Sequence, residues 1–526
     1  MRQFLADYPY VTLFAVIALG SLLGMVRFGP VRLGPAGVLF AGLAVGAVDA
    51  RIGPAEPAAL SVVGLAFYVY TVGLESGPAF FREIRTQLPV MLGSIVALAV
   101  TALAVGWGGH ALFHIGGPYL AGGYAGIGTT TPGLAAAQAS SKDPTQPAVG
   151  YAIGYPLAII VTILFLAALA RRGPWPGRRD LGDGLPSRLT TSTVVVRHDA
   201  DAATVPGVAE GRLLLSEYRP VGGPPRVALR LRQLAPGDEV VLVGGAEAVR
   251  AGVGALGEPA AENLLNDRNH VDYRRVLVTN PALAGRTVAA LDLGGRFGAL
   301  ASRLRRGDDD LLAHDNLVVQ LDDRIRVVAP PDRAEEVTRY LGDTEAKVSE
   351  VSAVSLGLGL CLGFLLGIPS VTIGSTKLAL GTAAGPLLMG MVLGRLQRTG
   401  PLVWTLPTRA NLTLRQIGLL LFLAIVGLTS GYAFRVNAFS LFGLKLLLVL
   451  LVGALLSYSL LLLAARLLGQ SRERGMGLLA GYVGNPALTS YANAQVRDSR
   501  INTGYSTLFA LAIIVKIVCI QLVVGL

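Results

Sequence analysis

The segment Val72-Gly73-Leu74-Glu75-Ser76-Gly77-Pro78-Ala79-Phe80 returns late in the chain as Val426-Gly427-Leu428-Thr429-Ser430-Gly431-Tyr432-Ala433-Phe434. At the same offset, Leu157-Ala158-Ile159-Ile160-Val161 recurs unchanged as Leu511-Ala512-Ile513-Ile514-Val515. Between these pairs, Gly123-Tyr124-Ala125-Gly126 returns as Gly481-Tyr482-Val483-Gly484, and Ala137-Gln138 as Ala494-Gln495. Landmarks repeating in one order describe a duplicated unit wrapped around an inserted middle. Both copies are apolar. Two apolar halves of one design are the sequence sign of a secondary transporter, with its site where the halves meet.

The composition agrees. The chain has 526 residues, 52% of them hydrophobic and only 15% charged, with a mean hydropathy of +0.57. Charges crowd into residues 171–350, while the flanks carry apolar runs of membrane-spanning length. The net charge of +11 comes from arginines in short loops beside these runs, the pattern of cytoplasmic loops. No basic stretch interleaved with aromatics appears, which argues against nucleic acid as a partner. Cys361 and Cys519 both sit inside apolar runs and build neither a disulfide framework nor a metal cluster. No metal or cofactor is expected. The apolar run beginning at Val11 lacks a convincing small-residue cleavage site and reads as a retained first span.

The expected fold is an all-α membrane protein of two inverted repeats, each with five spans and one re-entrant hairpin, plus a soluble α+β insert. Repeat 1 covers residues 1–170, with spans near 9–26, 36–48, 60–77, 88–115 and 148–170 and a hairpin at 120–142. Repeat 2 covers 351–526, with spans near 352–368, 379–395, 414–431, 438–466 and 504–524 and a hairpin at 478–497. Placing Arg27, Arg32, Arg82, Arg85 and Arg171 in the cytoplasm also brings Arg395, Arg398, Arg409, Arg415 and Arg466 inside. That works only if the two Gly/Pro-rich stretches dip in and return. Five crossings per half is odd, so the halves are inverted and both termini lie outside the cytoplasm. A tether is expected at 171–190, where Pro174, Pro176, Gly182, Gly184 and Pro186 cluster.

The middle is itself duplicated: Asp238 and Leu256-Gly257 recur as Asp323 and Leu341-Gly342. Period-2 runs such as Thr193 to Val196 and Tyr273 to Thr279 predict strands. Each copy should end in a strand, Val240 to Val243 or Ile325 to Val328, followed by an amphipathic helix. Two small modules, 191–258 and 270–345, follow from this.

Chemistry is expected at the two broken stretches. Gly126-Ile127-Gly128-Thr129-Thr130-Thr131-Pro132-Gly133 and Gly484-Asn485-Pro486-Ala487-Leu488-Thr489-Ser490 mix helix breakers with hydroxyl and amide side chains. Irregular backbone survives in a bilayer only when buried in protein or lining a watery cavity. A half-helix starting at such a break turns free N–H groups and a positive dipole end toward whatever binds there, which suits a carboxylate. The competing reading is a structural turn capped by Thr and Asn. Candidate substrate contacts are Thr129, Thr130, Thr131, Gln138, Asn485, Thr489, Ser490, Asn493, Gln495 and Lys516. A lysine at the depth of Lys516 costs about 2.5–3.5 kcal/mol on insertion scales and needs an anionic partner or water. Glu75 is the main acid within reach of such a role. Thr503-Gly504-Tyr505, with its counterpart Val149-Gly150-Tyr151, lacks the several carbonyl loops around one axis that an ion filter needs. It reads as structural, and so does Val243-Gly244-Gly245.

With these residues in view, the chain resembles the aspartate:alanine exchanger family, over essentially its whole length. The most specific elements are Gly73 to Phe80, Gly427 to Phe434, and the Gly-Tyr-x-Gly segments at Gly123 and Gly481. The middle resembles two copies of the TrkA-C module of potassium-conductance regulators. The clearer copy holds Val276 to Arg286 and Arg303 to Gly307, and the nucleotide-binding subdomain often paired with it is missing. The resemblance implies exchange of small carboxylates, such as aspartate for alanine or C4-dicarboxylates, by alternating access of an elevator-like core. It also implies a homodimer in a bacterial inner membrane, a cytoplasmic insert and a possible small regulatory ligand there. The rival reading is a gated cation or potassium channel under TrkA-C control. An enzyme is not expected, because the spans hold no His/Cys/Asp constellation.

Overall fold

A computed structural model describes the chain except residues 1, 29–30, 33, 53–57, 172, 174, 176, 178–188, 230, 265–269, 307–308, 343–351, 374–375 and 497. The chain divides into two compact units. One comprises Met1–Leu185, Leu356–Arg395 and Leu412–Leu526; the other comprises Pro186–Ser355 and Leu396–Asn411.

The first unit is helical. Its first half runs α1 (Pro9–Gly24), α2 (Ala36–Gly46), α3 (Ala58–Leu103), α4 (Gly117–Ile127), α5 (Thr131–Ser140) and α6 (Thr145–Arg171). Its second half runs α7 (Ala353–Gly367), α8 (Gly381–Leu396), α9 (Thr408–Ala438), α10 (Leu441–Leu467), α11 (Arg472–Val483), α12 (Pro486–Gln495) and α13 (Ser499–Val524). Among the described residues, six helical stretches are long and apolar enough to cross a membrane: Ala59–Pro78, Thr86–Phe113, Thr145–Arg171, Arg409–Ala438, Leu441–Leu467 and Arg500–Val524. The others are short. At 1.5 Å per residue, the 11 residues of α2 reach only about 16 Å against a hydrocarbon core of about 30 Å.

The loop expected between the third and fourth spans is instead helical, because α3 continues through it with Pro78 and Pro89 inside. The second half does break there, between α9 and α10, and the reason is local. Ser440 caps α10 by accepting from Gly443 N at 3.3 Å. Thr86, its counterpart, turns its hydroxyl back onto Glu83 O within the helix.

The repeated glycine segment is a helix crossing. A Cβ on Gly77 would lie 2.2 Å from Met391 O, and one on Gly394 2.2 Å from Leu74 O. The same contact recurs in the other half: a Cβ on Gly431 would lie 2.4 Å from Leu43 O, and one on Gly46 2.2 Å from Leu428 O. Thus α3 crosses α8 and α9 crosses α2, backbone against backbone, as small residues four apart allow. The broken helices pack similarly. Gly122 of α4 faces Pro147 O of α6, and Gly477 of α11 faces Ile501 O of α13. One continuous apolar core draws on both halves, from Leu13 and Leu39 to Leu423 and Ile513.

The tether region is only partly described: Arg172, Pro174, Pro176, Gly182, Gly184 and Pro186 lie outside the described residues. Trp175 within it is docked, donating Nε1–H to Gln470 O at 3.0 Å beneath the Arg466 guanidinium.

The second unit holds two modules, each with its own apolar core. The first has β1 (Leu189–Val196), β2 (Leu213–Arg219), β3 (Arg226–Val227), β4 (Glu239–Gly245) and β5 (Gly257–Pro259), in the antiparallel order β3-β2-β4-β1-β5. The second has β6 (Asp272–Leu277), β7 (Leu300–Arg306), β8 (Asp309–Leu312) and β9 (Arg324–Ala329), in the order β8-β7-β9-β6. The four strands the modules share keep the same order, and β5 has no counterpart among the described residues. Even the register irregularity recurs, between Leu215 and Glu217 and between Ala301 and Arg303. Helices Ala246–Leu256 and Ala334–Leu341 follow the respective last core strands. The repeated aspartate explains itself. Asp238 accepts from Ala235 N and Tyr218 Oη, and Asp323 accepts from Gln320 N and the Arg306 guanidinium. Each closes the turn ahead of its strand and ties it to the neighbouring strand. Arg398, in the Leu396–Asn411 segment, donates to Ala282 O at 2.7 Å and so belongs with this unit.

Candidate functional site

Each broken stretch is two short helices around a non-helical turn, and the sequence dictates where it breaks. After α4, Gly128 leads into Thr129, whose φ of +40° is left-handed, a rare state for a β-branched residue. Pro132 then opens α5 with no N–H to lose, and Thr130 caps it by accepting from Gly133 N at 3.3 Å. In the second half Gly484, at φ +90°, ends α11. Asn485 caps α12 by accepting from Ala487 N at 3.0 Å, and Pro486 follows. The expectation of uncapped amides is therefore corrected. Both helix starts are capped by their own side chains, and each has a proline in place of one donor. The positive end of each helix remains.

The two breaks meet. Thr129 Oγ1 donates to Val483 O at 2.8 Å, joining the turn after α4 to the end of α11. Lys516 of α13, 1% exposed, donates to Gly128 O at 2.8 Å, to Val483 O at 3.2 Å and, closely, to Tyr482 O. Beside this junction lies a cavity of about 90 Å³. Its polar lining is Thr129, Thr131, Asn485, Tyr68, Tyr151 and Tyr155, and its apolar wall includes Leu39, Leu419 and Leu423. Thr131 Oγ1 lies 3.4 Å from Tyr151 Oη, and Asn485 Nδ2 donates to Tyr155 Oη at 3.3 Å. The volume is far below the roughly 300–1,000 Å³ of drug-sized ligand sites, so it fits only a small solute. Among the described residues, no acidic or basic side chain lines it. What it offers is hydroxyls, one amide and two helix N-termini.

Of the residues read as candidates, Thr129, Thr131 and Asn485 reach the cavity, with Thr130 directly behind as a cap. The rest are elsewhere. Gln138 Nε2 donates to Pro144 O, Ser490 Oγ to Pro486 O, and Asn493 Nδ2 to Asn502 Oδ1; Gln495 is exposed. Thr489 Oγ1 is buried and makes no hydrogen bond among the described residues. Lys516 spends its donors on backbone carbonyls, and Glu75 pairs with Arg415. The tyrosines were missed. Tyr151 and Tyr155 sit four apart on α6, one helical face, and Tyr151 belonged to the Val149-Gly150-Tyr151 motif read as structural. The motif's glycine is structural, since a Cβ on Gly150 would lie 2.1 Å from Tyr119 O. Its tyrosine faces the cavity.

Residues 12–171 and 355–525 match the family model described as the Asp-Al_Ex predicted permease membrane region. The chain belongs to that family. Residues 273–342 match the TrkA-C domain, which is the second module of the insert. An uncharacterized transporter of Cutibacterium acnes is 41% identical over 525 residues, covering 100% of this chain and 99% of the relative. Uncharacterized transporters of Geobacter sulfurreducens and Corynebacterium efficiens are each 35% identical, covering 99% of both chains. No solved structure matches. The chain is thus a multi-pass membrane member of a transporter family, with a TrkA-C domain in its insert.

Proposed function

We propose that this Asp-Al_Ex family member is an antiporter of small carboxylates or amino acids, working by alternating access. The observation that carries the reading is the meeting of two broken helices at a small polar cavity with no acid among the described residues of its lining. A carboxylate there meets the positive ends of α5 and α12, with Thr131, Tyr151, Tyr155 and Asn485 as directional partners. In this reading α4–α5 and α11–α12 are re-entrant hairpins entering from opposite membrane faces, in two inverted repeats of five crossings. The shorter helices then cross with their neighbours' help, the insert is cytoplasmic, and both termini are outside. The TrkA-C-like modules regulate the cycle through a small ligand or through dimer contact.

The test is counterflow in proteoliposomes loaded with aspartate, alanine or succinate. Labelled substrate should enter only when a counter-substrate is present inside. Uptake of none of these, with or without a partner solute, would remove the antiporter. An ionic current without counter-substrate would instead favour a gated cation channel, the reading the TrkA-C match keeps open.

A further inference from the structure

We infer that Lys516 is a built-in cation: its ammonium occupies a carbonyl-lined site, formed by both helix breaks, that a bound alkali cation would otherwise have to fill. The inference rests on the transporter reading above only for its consequence in transport; the site itself stands on geometry.

An ammonium has three N–H donors and no acceptor. Lys516 directs them at three backbone oxygens: Gly128 O, Tyr482 O and Val483 O. Gly128 closes α4, and Tyr482 and Val483 are the last residues of α11. The last carbonyls of a helix lack intrahelical partners and carry the negative end of its dipole. Two such ends therefore converge on one point in an apolar interior. Carbonyls at helix breaks in membrane proteins characteristically coordinate monovalent cations, because nothing else neutralises them there. Here the chain supplies the charge itself. The site is shaped for it: a Cβ on Gly128 would come within 2.8 Å of Lys516 Cε. The Tyr482 ring lies 5.6 Å from the ammonium, which adds a favourable quadrupole.

The equivalent position in the first half is Thr162, which turns its hydroxyl onto Ala158 O of its own helix. That position in the first half carries no charge, so the duplicated unit is asymmetric here, as it is at Glu75 and Thr429. Glu75, the acid that could have competed for Lys516, is bound to Arg415. The ammonium has no donor left for a substrate carboxylate. Its role is to hold the two breaks together and to place a fixed positive charge behind the cavity. This protein should then need no sodium ion for assembly of the site.

The experiment compares the full-length chain with Lys516→Ala and Lys516→Met in detergent, in choline chloride against sodium or lithium chloride at equal ionic strength. Thermal unfolding is the first readout and counterflow the second. The original chain should unfold at the same temperature in each salt. Lys516→Ala should unfold earlier in choline and be shifted upward by sodium or lithium in a saturable way. Lys516→Met, which fills the space without charge, should be destabilised and indifferent to the cation. A salt-indifferent Lys516→Ala, or an original chain that requires sodium to fold or transport, would overturn the inference. Should Lys516→Ala not fold in any salt, the sodium requirement of the original chain decides alone. A sodium shift in Lys516→Ala together with no counterflow of any solute would sink the transport reading and leave the cation site standing.

Discussion

Thr129 concentrates the tension of the site in one residue. Its backbone is left-handed, a state that costs a β-branched residue on the order of 1–3 kcal/mol. Its hydroxyl bond to Val483 O contributes about 0.5–1.5 kcal/mol net. Lys516 also donates to that carbonyl, so loss of the hydroxyl leaves no orphan. Thr129→Gly should therefore hold or raise stability by up to about 1 kcal/mol, because glycine accepts the conformation freely. Thr129→Val keeps the strain, loses the bond and should cost about 0.5–1.5 kcal/mol. Thermal unfolding of the two variants checks this: both lack the hydroxyl, so a Thr129→Val as stable as Thr129→Gly would show that the left-handed backbone carries no strain, and a Thr129→Val as stable as the original chain would show that the hydroxyl does not hold the turn. Since Thr129 lines the cavity, both variants should weaken substrate affinity in counterflow.

At the scale of elements, the crossings of α3 with α8 and of α9 with α2 fix how the halves interlock. Gly77→Ala and Gly431→Ala each put a methyl 2.2 and 2.4 Å from a facing carbonyl oxygen. Backbones must part to admit it, and overpacking of this kind costs about 1–3 kcal/mol. Gly357→Ala in α7, where a Cβ meets nothing within 4 Å, is the control. It should be neutral or stabilising by about 0.5–1 kcal/mol from helix propensity alone. Equal melting temperatures for Gly431→Ala and Gly357→Ala would show that the crossing tolerates a methyl. The sequence carried much of this. The duplication and the position of both breaks were legible, because Gly and Pro act through local backbone chemistry; Thr130 and Asn485 read first as substrate contacts, with capping only the competing reading, and the structure makes both of them caps. The continuity of α3 was not: Phe80 to Gln87 looks like a loop only because it is polar, while its residues are helix formers without glycine. The cavity tyrosines were hidden for another reason. Which face of α6 meets the breaks is set by where Gly150 and Gly154 admit α4, and that is a tertiary fact.

At the scale of the whole molecule, two kinds of core coexist, and each is complete in itself. The membrane unit has one continuous apolar cluster, and each soluble module has its own. The modules share the order of their four common strands, a register irregularity and a turn-closing aspartate, so the insert repeats one fold, and its second copy matches the TrkA-C model. A unit with its own hydrophobic core can in principle fold alone. Replacing Pro186–Ser355 by a short Gly/Ser linker should therefore leave a membrane unit that still unfolds cooperatively. The Leu396–Asn411 segment stays behind without Ala282 O for Arg398, so Arg398→Ala belongs in the same variant. If the modules regulate transport or hold a dimer together, counterflow rate or mass in detergent must change on excision. Unchanged rate and unchanged mass, in a variant that melts as cleanly as the full chain, would leave the duplicated insert with neither role.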